Sequence, residues 1–179
     1  MQNGFVVSQI LSSSEPDLLN PAETIRAVIC YIHHGDEFLL LLKKSGKFGG
    51  GFWNGPGGKI QNDESPESAV RREVLEETGL SIGTLDKIGH LEFFFGPGKV
   101  KPDWTAEVFL TSEFSGNLHE SEEGELQWFG KDNLPMDHMW QDDRYWLPLL
   151  IQGKKFRGRF QFSKDSKELL SYDVELGKL

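Results

Sequence analysis

A chain of 179 residues with 37% hydrophobic and 12% aromatic content can build one domain with its own core, which excludes an intrinsically disordered protein. Its formal net charge of −9 excludes a nonspecific polyanion binder, so no stable nucleic-acid partner is expected. A single cysteine, Cys30, excludes an internal disulfide. No apolar run reaches membrane-spanning length and the N-terminus lacks the basic start of a signal peptide, so the expectation is a cytoplasmic protein without a membrane partner.

Residues 1–23 read as an N-terminal extension. Phe5-Val6-Val7 and Ile10-Leu11 offer a short strand, and Ser12 to Pro16 and Asn20-Pro21 break regular structure. From residue 24 to 179 the pattern is that of one domain. Thr24 to His33 reads as a strand, His33 to Asp36 as a turn, and Glu37 to Lys44 as a nearly continuous apolar strand central to a sheet. The two turn histidines read as solvated side chains. Ser45 to Gly51 is a glycine-rich loop containing Phe48.

Gly55-Pro56-Gly57-Gly58 is a turn that leads into a helix. Ser65 suits its N-cap, Pro66 its first position, and Gly79 its stop. Strands follow between Ile82 and Gly96, with Leu91, Phe93 and Phe95 alternating on one face, and between Thr105 and Glu113. An acidic cluster at Glu120 precedes a short strand, Leu126 to Phe129. Asp142 to Gln152 reads as a second helix with Trp146, Leu149 and Leu150 buried. Phe156–Phe162 and Leu169–Leu176 form a closing hairpin. Strand-rich stretches interrupted by two helices predict an α+β sheet sandwich.

On the 3.6-residue period, Glu73, Glu76 and Glu77 fall within an arc of roughly 100°, and Arg72 reaches Glu76 one turn on. An acidic helix face is usually just solvated. Here a glycine turn brings bare backbone beside it, and two carboxylates about 4 Å apart repel by about 4 kcal/mol at an effective dielectric near 20. Converging carboxylates next to free carbonyls suit a hard divalent cation.

Gly58, Glu64 and the run from Arg72 to Leu80 match the Nudix box at every specified position, and the chain thereby resembles the Nudix hydrolases. The resemblance implies an α/β/α sandwich with a mixed central sheet, and a Mg²⁺-dependent attack on a nucleoside diphosphate linkage, with Mn²⁺ able to substitute. From Arg26 onward the chain is similar to one Nudix subgroup, the oxidised-purine nucleoside triphosphate diphosphatases. That likeness rests on Trp53-Asn54-Gly55, the run from Met139 to Asp143, the run from Tyr145 to Leu150, Lys154-Lys155-Phe156, and Tyr172.

Carried over by position, the resemblance implies metal ligands at the carbonyls of Gly57 and Gly58 and at Glu73, Glu76, Glu77 and Glu123. Glu76 and Glu73 are the candidates for general base, with Arg72 and Glu77 completing the catalytic set. The nucleotide falls to Lys43, Asn54, Gly57, Gly58, Lys59, Phe93, Trp140, Asp142 and Asp143. Trp140 and Phe93 would sandwich a purine, Asn54 would offer a donor and an acceptor, and the adjacent acids would share one proton. The plain alternative for Asp142 is a helix cap.

Four departures from the subgroup fall at the base pocket: Val28 replaces a threonine, Gly124 a bulkier residue and Pro56 an aromatic, and the Phe48 loop is one residue longer. The expected partner is a purine nucleoside triphosphate, cleaved by a monomer to monophosphate and pyrophosphate with attack at the β-phosphorus. Rival readings are another nucleoside diphosphate-linked substrate and a nonenzymatic nucleotide sensor.

Overall fold

The computed structural model describes residues 23–46, 49–119, 122–177 and 179. The N-terminal extension up to residue 22, with its proposed strand, and the Phe48 tip of the glycine-rich loop therefore lie outside the described residues, as does Glu120 of the acidic cluster.

Strand β1 (Ile25–His34) and strand β2 (Glu37–Lys43) form a hairpin, closed by Gly35 in the left-handed region (φ 57°). Two short strands, β3 (Trp53–Asn54) and β4 (Gly57–Lys59), flank the Gly55-Pro56 turn. Helix α1 (Pro66–Thr78) follows, then β5 (Leu80–Ile82), β6 (Asp86–Phe95), β7 (Trp104–Thr111), β8 (Phe114–Gly116) and β9 (Gly124–Gly130). Two 3₁₀ turns lead to helix α2 (Asp143–Ile151), and β10 (Phe156–Phe162) and β11 (Leu169–Leu176) end the fold.

The main sheet runs β11-β10-β6-β7-β1-β2-β3, with β4 on β1 and β9 on β2. It is mixed: β1–β7 and β10–β6 are parallel and the other pairs antiparallel. Both helices lie on it. Ala69, Val70 and Val74 of α1 pack against Val28, Cys30, Ile32 and Phe109 on one face. Trp146, Leu147 and Leu150 of α2 pack against Tyr31, Phe156 and Phe160 on the other. Each of these large apolar side chains contributes about 1.5–3 kcal/mol on burial. The α+β sandwich read from the sequence is the architecture found.

Within α2 the buried phase is Asp143, Trp146, Leu147 and Leu150, so Leu147 takes the core place expected of Leu149. The spacing i, i+3, i+4, i+7 is a regular helical stripe, but its first member is an acid, which disguised the phase. Cys30 is wholly buried and its thiol is pushed up to about 12 by that burial, which makes it an inert packing residue. Among the described residues no helix is long and apolar enough to cross a membrane.

Candidate active site

Helix α1 starts and stops as its sequence dictates. Ser65 accepts a hydrogen bond from the Ser68 backbone N–H (3.1 Å), Pro66 opens the first turn, and Gly79 adopts the left-handed cap (φ 77°). With Ala69, Val70, Val74 and Thr78 turned into the core, Glu73 and Glu77 meet the Gly57-Gly58 segment, while Glu76 lies more exposed beside Arg72.

That segment is glued to β1. Ala27, Val28 and Ile29 pair with Lys59, Gly58 and Gly57, and the Cys30 N–H donates to the Pro56 carbonyl (2.8 Å). The approach leaves no room for side chains. A Cβ on Gly55 would lie 2.5 Å from the Cys30 carbonyl oxygen, and one on Gly57 would lie 2.1 Å from that of Val28. On Gly58 it would strike the Glu73 carboxylate at 2.5–2.6 Å.

Glu77 is only 2% exposed; its Oε2 accepts from the Gly57 N–H (2.7 Å), and its Oε1 faces the Lys43 ammonium at 3.5 Å. Lys43 also donates to the Gly57 carbonyl (3.1 Å). Arg72 is the hub of the outer acids. It clasps Glu64 with Nε and Nη2, both at 2.9 Å, and reaches Glu73 at 2.7 Å and Glu76 at 3.3 Å from Nη1. The expected Arg72–Glu76 pair is present, but Glu64 and Glu73 hold the guanidinium more closely. Among the described residues no three acidic, histidine or cysteine side chains cluster tightly enough to hold a metal by themselves.

The donor set nonetheless fits a hard divalent cation. The Gly57 carbonyl and Glu77 already share one cation, Lys43, and Glu73 lies against Gly58. The Glu77 carboxyl is pushed up to about 7 by burial, which outweighs the opposing Lys43 charge and Gly57 N–H; the charges of Glu73 and Glu123 add smaller upward pushes.

A carboxyl whose folded pKa lies above its unfolded value holds a proton that the unfolded chain has already released. Between the ordinary glutamate value of 4.5 and about 7 the native state is therefore progressively destabilised as pH rises. The contribution is on the order of 3 kcal/mol. The metal-free protein is expected to melt higher near pH 5.5 than near pH 7.5. A divalent cation, which binds the ionised form, should raise the melting temperature chiefly at the higher pH, and Glu77→Gln should flatten the metal-free difference. A metal-free melting temperature that climbs across this window contradicts the assignment.

From this acidic end a pocket runs to a second group of residues. Lys43, Asn54, Gly57, Gly58, Phe93, Trp140, Asp142 and Asp143, all expected from sequence to meet the nucleotide, line this one pocket. Lys59 does not; its ammonium sits over the ring of Trp104, itself a pocket wall, at 5.4 Å. Val28 lines the pocket, whereas Pro56 and Gly124 lie away from its lining. The Pro56 carbonyl instead caps β1, and a Cβ on Gly124 would lie 2.0 Å from the Leu42 carbonyl oxygen, so close strand packing requires glycine there.

Asp142 and Asp143 are buried, 2% and 1% exposed. Asp142 stands at the start of α2 but makes no side-chain cap; it accepts from the Trp146 indole N–H (2.9 Å). Asp143 accepts from the Trp140 backbone N–H (3.1 Å). Burial raises both carboxyls, and the Asp142 charge lifts Asp143 further.

One pocket wall, Phe52, and one residue behind the pocket, Tyr31, carried no signal in the sequence. Phe52 stacks on the Trp140 indole (centroids 5.1 Å), giving that ring an aromatic partner from the glycine-rich loop. Tyr31, an apolar strand position by pattern, donates its hydroxyl proton to Asn54 Oδ1 (3.1 Å).

A family model described as the NUDIX domain matches residues 23–150. The mouse oxidized purine nucleoside triphosphate hydrolase is 46% identical over 136 residues, covering 76% of this chain and 85% of the mouse protein. The zebrafish protein of the same name is 46% identical over 125 residues, covering 69% of this chain and 78% of its own length. Among solved structures, the MutT protein of Bacillus halodurans aligns over 84% of this chain and 97% of its own, with a TM-score of 0.75 and 30% identity.

Proposed function

Because the chain belongs to the Nudix hydrolase family, we propose that it cleaves oxidised purine nucleoside triphosphates such as 8-oxo-dGTP and 2-hydroxy-dATP. The products are the monophosphate and pyrophosphate, and the role is cleansing of the nucleotide pool in the cytoplasm, by a monomer. One observation carries this reading: a single pocket joins the Gly57-Gly58 turn and Lys43 to Asn54, Phe93, Trp140 and the two acids, in a chain 46% identical to two hydrolases of that name.

Glu73, Glu76, Glu77 and Glu123, with the Gly57 and Gly58 carbonyls, would hold Mg²⁺ or Mn²⁺. That ion would neutralise phosphate oxygens and lower the pKa of a bound water. The chain supplies the rest. Lys43 meets phosphate charge at the pocket mouth. Arg72 fixes the rotamers of Glu73 and Glu76, the two candidates for taking the water's proton. Trp140 offers its face to the base, where stacking is worth about 1–3 kcal/mol.

Pyrophosphate release from 8-oxo-dGTP, 2-hydroxy-dATP, N6-methyl-dATP and dGTP tests the reading directly. The oxidised nucleotides are expected to exceed dGTP in kcat/KM by about 10-fold or more, with turnover abolished by chelation of the divalent cation. Equal turnover of dGTP would remove the oxidised-base assignment, and undiminished release after chelation would remove the metal set.

A further inference from the structure

Asn54 belongs to the short strand β3, and what surrounds its amide determines what it offers a ligand. Its Oδ1 accepts two hydrogen bonds, one from the Gly55 backbone N–H (2.8 Å) and one from the Tyr31 hydroxyl (3.1 Å). Tyr31 is wholly buried on β1, its ring packed edge-on against Trp146 at 5.8 Å. Gly55 has no freedom either, because β1 presses on it. Flipping the amide would set its NH₂ against the Gly55 N–H, which can only donate, so the oxygen stays at this end and the Tyr31 hydroxyl donates to it. An amide oxygen with two protein donors is satisfied, and the NH₂ end is left to face the pocket.

We propose that Tyr31 is a positioning residue for base recognition: by committing its hydroxyl proton to Asn54 Oδ1, it makes Asn54 a pure hydrogen-bond donor to the base. The expectation from sequence that Asn54 offers both a donor and an acceptor is corrected accordingly. A base is then read at this point by an acceptor on its edge. Acceptor capacity on the protein side falls to the Asp142–Asp143 pair, which lines the same pocket.

The inference rests on a purine's entering this pocket, and its test separates the two ideas. A double-mutant cycle uses the wild type, Tyr31→Phe, Asn54→Ala and the double variant, each assayed on whichever nucleotide of the four-member panel is cleaved fastest. Tyr31→Phe removes one oxygen atom. It is expected to raise KM about fivefold with little change in kcat, and to shift the kcat/KM ratio of 8-oxo-dGTP to 2-hydroxy-dATP about threefold or more. In the Asn54→Ala background the same change should have no further effect, because Tyr31 acts only through Asn54.

A second measurement leaves Tyr31 in place: the wild type should show a slowly exchanging Tyr31 hydroxyl proton by NMR that vanishes in Asn54→Ala. Additive effects in the cycle, or an unaltered substrate ratio in Tyr31→Phe, would overturn the proposal. A wild type without oxidised-base preference sinks the substrate assignment alone, since the cycle is defined on any base.

Discussion

Glu77→Gln is expected to lower kcat by about a thousandfold while leaving affinity for the monophosphate product within a few-fold of wild type. The substitution is nearly isosteric. A glutamine Oε1 still accepts from the Gly57 N–H that Glu77 holds at 2.7 Å, so the turn keeps its shape. What disappears is the capacity to carry a negative charge at a buried position beside the Lys43 ammonium at 3.5 Å. That charge distinguishes a site able to draw a divalent cation against a polyphosphate from one that merely binds the base.

Glu73→Gln should behave similarly, because its carboxylate lies where Gly58 would carry a Cβ. Glu64→Gln is the instructive contrast. Glu64 holds Arg72 and accepts from the Gln61 N–H, away from the Gly57-Gly58 turn, so Glu64→Gln should loosen the rotamers of Glu73 and Glu76 and cost far less. Initial-rate kinetics and product titration on the three variants decide the matter, and normal turnover in both Glu73→Gln and Glu77→Gln would defeat the metal assignment.

The sequence made the box helix legible because its signals are local. A cap, a first-turn proline and a C-terminal glycine sit at fixed offsets, and the structure places all three in those roles. The long strands were legible from alternation or continuous apolarity. The short strands β3, β4, β5 and β8 were not, since two or three residues carry no period and exist only through their pairing partners.

Site residues divide in the same way. Those inside a spaced motif could be named in advance. Tyr31 could not, because a tyrosine in an apolar strand looks like core, and its hydroxyl partner is 23 positions away. Nor could Arg72's choice of Glu64 and Glu73 over Glu76, which depends on where the Gly58–Ser65 segment returns in space. Helical spacing places carboxylates on one face, but it does not say which of them a neighbouring guanidinium will claim.

The acid pair should govern which bases are accepted. Asn54 presents a fixed donor, so adaptability must come from groups that can exchange roles, and two adjacent buried carboxyls, Asp142 and Asp143, both raised by burial, are placed to share one proton. With the proton on one carboxyl the pocket offers donor then acceptor; with it on the other, the reverse. Asp143→Asn freezes this choice, because the amide is always a donor and still accepts from the Trp140 N–H. One of the two oxidised nucleotides should then lose about 100-fold in kcat/KM while the other is largely kept, the penalty being that of a buried polar edge left unmatched.

Asp142→Asn fixes the pair in the opposite sense and should reverse the preference, while its amide oxygen still accepts from the Trp146 indole. Both variants should also be more stable than the wild type near neutral pH, since neither buries more than one ionisable carboxyl in the pair. Kinetics on 8-oxo-dGTP and 2-hydroxy-dATP, with thermal melts of the same preparations, provide the check. If both asparagine variants keep the wild-type ratio between the two nucleotides, the shared proton has no part in choosing the base, and discrimination must come from the aromatic walls and Asn54.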